Sequence, residues 1–420
     1  MSKYQNTVVL DNGGHTLKAG VVGQSDFVCV PNMAVRDRTG KVHVHMSGDD
    51  VQLASDGQIL RPTDRGYPLR WSVQASLWDH VFGHQCLGVD PTDSALCLAT
   101  PPFQPKEIAK ACIYIERERE KTGKEMKGQG VLYEHVFEYY GFQGLFRHIP
   151  AFFASFQVDT QAGLYIDSGH SGTWTVPIIH NQVLLHGVRR VDVGGAVLNK
   201  ELRRVVSMAQ FDLTREALLA EQIGHLIFRV SDNFRADMMS FKEQHSVGSL
   251  RSRCRPLSVL LPDYTTSKAP VVLDPTTPAP PRRDVYRPGP EQVYCPELLF
   301  HPEYAGIAQG GVQQAAAQGL ACLPSAVAEA CWGSVVPIGG VTNIPGYRQR
   351  LQQELSGVAP SCVNVSVLDP GQSESGKGGE GIAFRGMVKY AAGDEFPKSM
   401  VTLDLYKEYG DNLCTSRFAW

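Results

Sequence analysis

Short apolar runs closed by turn residues recur along this chain, and two of them share one design. Thr7-Val8-Val9-Leu10 runs into Asp11-Asn12-Gly13-Gly14-His15 and resumes as Thr16-Leu17-Lys18-Ala19-Gly20. Gly163-Leu164-Tyr165-Ile166 runs into Asp167-Ser168-Gly169-His170-Ser171-Gly172 and resumes as Thr173-Trp174-Thr175-Val176-Pro177-Ile178. A β-prone run, a tight polar turn containing Asp-x-Gly and a second β-prone run predict a hairpin. One such hairpin is expected in each half of the chain.

Other periodicities fill in the frame. Val73, Leu77 and Val81 recur at four-residue steps, widened by Trp78 and Phe82, and predict a core helix with Ser72 as its N-cap and Gly83 as its stop. Ala95 to Thr100 predicts a buried strand ended by Pro101-Pro102, and Lys106 to Glu120 a helix that runs into a charged insertion over 113–130. Val191 to Val193 ends in Gly194-Gly195 and opens onto a helix from Leu198 to Met208, and helical patterns continue from Leu213 to Phe234. Ser334 to Ile338 predicts a strand entering Gly339-Gly340, then a helix containing Arg348 to Leu355 and a strand from Val363 to Leu368. The polar, glycine-punctuated stretch 31–70 reads as a loop-rich excursion. The nine prolines of 262–296 cannot sit in regular structure throughout, so this stretch is expected to be a surface insertion.

Length and charge set limits on these elements. At 420 residues the chain exceeds what one hydrophobic core usually serves, so two domains are expected. Forty basic and 43 acidic residues give a net charge of -3, which supplies no general attraction to nucleic acid or membrane. The ten cysteines form no CxxC pair, so they read as buried small apolar residues in a reducing compartment. No run approaches the roughly 20 apolar residues of a membrane span, nor does the N-terminus resemble a secretion signal. A soluble intracellular protein is expected.

The duplicated turn carries the chemistry. Glycines let backbone N–H groups approach phosphate oxygens, and an aspartate at a strand end can hold hydrated magnesium. Two such turns facing one another would clamp a nucleotide between two domains. The Gly339-Gly340 turn is either a plain strand-to-helix connection or a place where a flat base or ribose lies close to the backbone. Gly371 to Gly378 nearly matches a phosphate loop but lacks the closing hydroxyl, and reads as a polar loop. His43 and His45 have no partner at zinc spacing and read as solvated. Gln143, from its position alone, is a surface or capping group.

These motifs, in this order, resemble actin and the actin-related proteins over nearly the whole chain. Asp11-Asn12-Gly13 to Lys18-Ala19-Gly20, Gln143, Asp167-Ser168-Gly169 to Val176-Pro177, Gly339-Gly340 and Pro345-Gly346 carry the resemblance. Trp71, Trp78-Asp79-His80-Val81-Phe82-Gly83, Val193-Gly194-Gly195, Leu261-Pro262-Asp263-Tyr264, Pro296 to Pro302, Val401-Thr402 and Tyr406 to Gly410 are similar to one branch, that of actin-related protein six.

The resemblance implies an α/β, actin-like ATPase fold: two similar α/β domains around a nucleotide cleft, four subdomains in all. The first domain would take 1–155 plus 370–420, with 31–70 as its small outer part. The second would take 156–369, with 201–267 as its small part and 262–296 as an insertion. ATP, or ADP, and Mg are the implied cofactors. Asp11 and Asp167 would orient magnesium-bound waters, and Lys18 would pair with phosphate oxygens. Gly13, Gly14, His15, Ser168, Gly169 and His170 would line the phosphates, while Gly195, Gly339, Gly340 and Val341 would lie along the nucleoside. Gln143 is the vestigial catalytic candidate, placed to position a water at the hinge.

Departures from the family pattern imply weak hydrolysis. Gly14 stands where actin has a serine, His15 where a second glycine is usual, His170 where an acid is usual and Trp174 where a water-positioning histidine is usual. Gly224-His225 replace a Lys-Glu pair that serves the adenosine. Each lost general-base or water-orienting group typically costs about a hundredfold in rate. The branch implies a non-enzymatic subunit, with at most a slow residual ATPase, of a SWR-type chromatin remodelling complex that exchanges a variant histone. Its implied partners are a Snf2-type remodeller ATPase, a zinc-HIT-finger protein and other complex subunits, with indirect or weak nucleosome contact and no membrane. Its implied place is the nucleus, and also the cytoplasm. The stretches 113–130 and 262–296 are candidate docking surfaces. The alternative is a cytoskeletal actin-like ATPase that forms filaments, and a third class is the sugar-kinase or Hsp70-like ATPases.

Overall fold

The structure, a computed structural model, describes residues 4–24, 27–44, 57–103, 131–158, 160–244, 257–264, 269–274, 283–369, 379 and 381–418. The helix expected from Lys106, the insertion 113–130, the glycine-rich stretch 371–378 and His45 lie outside the described residues.

Two sheets repeat one plan. In the first, β1 (Asn6–Asn12) pairs antiparallel with β2 (Thr16–Val21), which pairs with β3 (Phe27–Pro31). On its other edge β1 pairs parallel with β4 (Ser94–Ala99), and β4 pairs parallel with β5 (Gly144–His148). In the second, β6 (Ala162–Ser168) pairs antiparallel with β7 (Thr173–Ile179) and parallel with β8 (Val335–Ile338). Each sheet thus has a hairpin whose first strand also lies in a parallel ladder. Strands of the parallel part are apolar on both faces, as β4 is, because helices cover both sides.

The apolar stripe read from Val73 forms α1 (Trp71–Phe82), which buries Trp78, Leu77 and Val81 against the first sheet. Its N-cap is Arg70, with no side-chain cap bond; Ser72 lies inside the first turn, so the expected serine cap is not used. Two helices, α2 (Pro150–Gln157) and α3 (Gly195–Ala209), follow β5 and the short strand Arg189–Val191. Then come α4 (Ala217–Ile227), α5 (Tyr347–Val358) and α6 (Ile382–Ala391).

Apolar side chains gather in separate cores. One draws on Val8 to Phe153 together with Phe384 to Phe418, so the end of the chain packs back onto its beginning. Another lies wholly between Leu164 and Val365. A smaller one joins Ile149 and Ala154 of the first half to Tyr165, Val176 and Ile338 of the second, with Ile382 between them.

Smaller elements flank these cores. Ala34–Arg36, Val42–His43 and Gln58–Leu60 form a three-stranded outer sheet, where His43 Nε2 pairs with Asp37 Oδ2 at 2.9 Å. No group of three or more His, Cys, Asp or Glu suited to a metal occurs among the described residues. The proline-rich stretch is less irregular than expected. Val271–Val272 and Val285–Tyr286 pair with Val259–Leu260, and Glu291–Glu297 is a helix that admits Pro296 in its interior. Tyr286 is fully buried and bonds Glu291, so this segment contributes to the second core. Spaced prolines forbid a long element but allow two-residue strands between them. No helix among the described residues is long and apolar enough to cross a membrane.

The returning end of the chain is held to the first half where α6 crosses α2. A Cβ at Gly386 on α6 would collide with the carbonyl of Phe153 on α2, so these backbones touch only because residue 386 is glycine. Gly386→Ala is expected to cost about 3 kcal/mol, the upper end for overpacking because backbone rather than a flexible side chain must yield. Chemical denaturation of the two proteins would check this, and an unchanged midpoint would contradict it.

Candidate functional site

The first turn leaves β1 at Asn12 and is fixed from beneath by buried amides. Trp78 Nε1 donates to Asn12 Oδ1 at 3.2 Å, and Asn12 Nδ2 donates to Gln74 Oε1 at 3.3 Å. Gln74 Nε2 donates to Asn32 Oδ1 at 3.4 Å, and Asn32 Nδ2 donates to the carbonyl of Gly13 at 2.7 Å. The N–H of Asn32 also donates to the carbonyl of His15 at 2.7 Å. Buried polar groups require such partners, so this chain sets the position of Gly13 to His15.

The second turn is fixed differently. Ser168 is fully buried and its hydroxyl pairs with Tyr347 Oη at 2.7 Å, while Thr173 Oγ1 donates to the carbonyl of Val193 at 2.9 Å. Helix α3 abuts this turn: Gly195 N donates to Gly169 O at 3.1 Å and Ala196 N to His170 O at 2.8 Å. A Cβ at Gly194 would stand 2.5 Å from both Gly169 O and Gly172 N, so glycine is required there.

Both turns lie at the carboxyl ends of the parallel strands, where ligands of open α/β sheets are received. Asp11 pairs across the hairpin with Lys18, whose Nζ is 3.9 Å from Asp11 Oδ2 and 3.3 Å from Thr16 Oγ1. Burial, reinforced by the facing Asp11 and partly offset by Lys18, pushes the Asp167 carboxyl up to about 7. Gly339, with φ +93°, follows β8 so closely that a Cβ would stand 2.9 Å from Asp167 Oδ1. A Cβ at Gly340 would meet nothing within 4 Å, and one at Gly195 would stand 3.6 Å from His170 and 3.7 Å from Val341. Asp11, Lys18, Asp167, His170, Gly195, Gly339 and Val341 are therefore neighbours.

A nucleotide with magnesium fits this donor set. The N–H groups of Gly14, His15, His170 and Ser171 carry no backbone hydrogen bond among the described residues, which leaves four donors on the two turns. Gly169 is different, because its N–H closes the turn onto Gly172 O at 3.0 Å. Ser168 likewise lends its side chain to the core.

Imidazoles crowd the space where the halves face each other. The His15 ring lies 5.2 Å from that of His170 and 5.9 Å from that of His225 on α4. His15 Nε2 is 3.7 Å from Glu221 Oε2, and Arg61 Nη2 donates to both oxygens of Glu221 at 2.7 and 2.8 Å. Burial opposes ionisation of Glu221, but the nearby His15 and the charge of Arg61 overcome it and hold the carboxyl near 2. Burial, then Arg61, holds His170 down at about 3, so this ring is neutral near pH 7. Further along, the Arg190 guanidinium lies 5.1 Å from the Trp174 ring and 5.7 Å from the Tyr67 ring, joining the halves through stacking.

Gln143 is not brought to this site. It precedes the five-residue β5, whose far end, His148, pairs with Ala99 beside Asp11. Roughly 16 Å of strand separate Gln143 from the cleft. Its Nε2 donates instead to the carbonyls of Thr92 and Gly141 at 2.7 and 3.2 Å. The water-positioning role expected for Gln143 is therefore corrected: the cleft end of β5 leads into Ile149 and Pro150, whose side chains exchange no proton. Arg61, Glu221, Arg190, Tyr347 and the Asn12-Gln74-Asn32 chain escaped sequence reasoning, since only the fold brings together residues as far apart as Arg61 and Glu221.

Comparison with known proteins agrees with this geometry. The family model described as Actin matches residues 2–419. A protein of Drosophila melanogaster named Actin-related protein 6 is 26% identical over 420 residues, covering 96% of this chain and 97% of that protein. One of Neurospora crassa with the same name is 28% identical over 438 residues, covering 98% and 94%. Another, of Arabidopsis thaliana, is 26% identical over 452 residues, covering 98% and 99%.

The raised Asp167 carboxyl has a pH signature. An unfolded aspartate ionises near 3.9, so the folded chain holds this proton longer, and stability falls as pH rises from about 4 to about 7. Asp167→Asn is expected to melt above the wild type at pH 8 without added metal or nucleotide, with the gap closing by about pH 4. Equal gaps at both pH values would contradict the assignment.

Proposed function

Because the chain belongs to the actin family, we propose that it is an actin-related structural subunit of a SWR-type chromatin remodelling complex. In this reading it serves variant histone exchange in the nucleus and binds ATP, or ADP, with Mg while hydrolysing little or none. The relatives named Actin-related protein 6 support the branch.

One observation carries the reading of the cleft: Asp11, Lys18 and Asp167 come together at the two turns, while the cleft end of β5 brings Ile149-Pro150 instead of a polar side chain. Asp11 and Asp167 face one another with Lys18 between the turns, placed to orient a hydrated magnesium and to neutralise phosphate. Opposite them, His15 and His170 face each other, Trp174 covers Arg190, and β5 delivers Ile149-Pro150. Bound ATP with magnesium supplies negative charge and a rigid body between the halves. A ligand that binds only the folded state stabilises it by mass action, by about 2.7 kcal/mol at a hundredfold excess over Kd. A closed cleft then presents one fixed outer surface to a Snf2-type remodeller ATPase and a zinc-HIT-finger protein.

Mass spectrometry of proteins retained by the tagged chain from nuclear extract tests the assignment. Recovery of a Snf2-type ATPase together with a zinc-HIT protein is the expected result. Recovery of actin-binding proteins alone, or of polymer of the chain itself, would overturn it in favour of a filament-forming ATPase.

A further inference from the structure

Gly14 is the position at which the first turn lacks a side chain, and the structure shows what takes that space. A Cβ built on Gly14 would overlap the hydroxyl oxygen of Ser171 and stand 3.5 Å from Ser171 Cβ and 3.7 Å from Thr63 Oγ1. Ser171 belongs to the opposite turn, in the other half of the molecule. A second glycine of the first half bounds it: a Cβ at Gly66, with φ +92°, would lie 3.4 Å from Ser171 Cβ. Ser171 thus enters a socket formed by two glycines, and its hydroxyl has no hydrogen bond partner among the described residues. The N–H groups of Gly14 and His15 on the first turn, and of His170 and Ser171 on the second, carry no backbone hydrogen bond among the described residues.

We propose that Ser171 is the hydroxyl ligand for the terminal phosphate of a nucleoside triphosphate, carried on the second turn in the space that Gly14 leaves open. This rests on the cleft binding a nucleotide. A hydroxyl is both donor and acceptor and rotates to suit its partner, and its bond to a charged oxygen is stronger than one between neutral groups. It is the one side-chain hydroxyl that the second turn sets against Gly14 and Gly66 of the first half. It therefore distinguishes a third phosphate from two. Position 14 and position 171 form one reciprocal pair: a hydroxyl belongs at one of them, and two do not fit.

Isothermal titration of ATP and of ADP, each with magnesium, into wild type and three variants tests this. Ser171→Ala is expected to weaken ATP roughly tenfold and ADP less than about twofold. Gly14→Ser alone is expected to weaken ATP as well, because it forces the Ser171 hydroxyl to turn away. Gly14→Ser combined with Ser171→Gly is expected to return ATP affinity to within about twofold of wild type. Unchanged ATP affinity in Ser171→Ala, equal losses of ATP and ADP, or a double variant at least as weak as the sum of the single ones would each overturn the proposal. Melting temperatures of all four proteins separate misfolding from lost binding. Wild type binding neither nucleotide would instead sink the underlying reading, and this proposal with it.

Discussion

The interaction on which the rest depends is the buried chain of amides under the first turn. Three polar side chains, Asn12, Gln74 and Asn32, are shut away from water and satisfy one another, with Trp78 at one end and the backbone of Gly13 at the other. Losing any one partner would strand the others, which is why the turn takes a single position. The second turn has its own anchor in Ser168, Tyr347 and Thr173. With both turns fixed independently, the space between them is defined by how the two halves dock.

Two side-chain contacts join the halves, and a third contact fixes the returning end of the chain. Helices α2 and α6 touch backbone to backbone at Gly386, a contact that tolerates no side chain. Across the cleft, Arg61 and Glu221 make a part-buried ion pair that His15 joins. Beside it, Arg190 is stacked between Trp174 and Tyr67. The α2–α6 contact is a backbone packing constraint, whereas the other two join side chains of the two halves across the cleft.

Much of this was legible in the sequence, for stated reasons. Both hairpins, the helix over Trp71–Phe82 and the Gly339-Gly340 turn were readable because period-two runs, a four-residue stripe and glycine pairs are local signals. Asp11 faces Lys18 across the first hairpin, and Asp167 sits at the matching place near the end of β6, because hairpin register is set by the turn. What escaped was long-range. Gln143 was matched by order along the chain, but it lies at the amino end of β5, the end away from the cleft. Ser168 looked like a ligand because alternation along β6 does not reveal that Tyr347 claims its hydroxyl. Prolines in 262–296 hid Tyr286, whose burial depends on strands too short to show a period. The amide chain spans residues 62 apart, and polar residues give no pattern of their own.

In the proposed reading the cleft binds a nucleotide and hydrolyses it little or not at all. Nucleotide extracted from the purified native protein after incubation with Mg·ATP, resolved by chromatography, addresses this most directly. The account predicts stoichiometric ATP, intact after many hours. Extraction of ADP with matching release of phosphate would contradict it, and would return a catalytic role to the site.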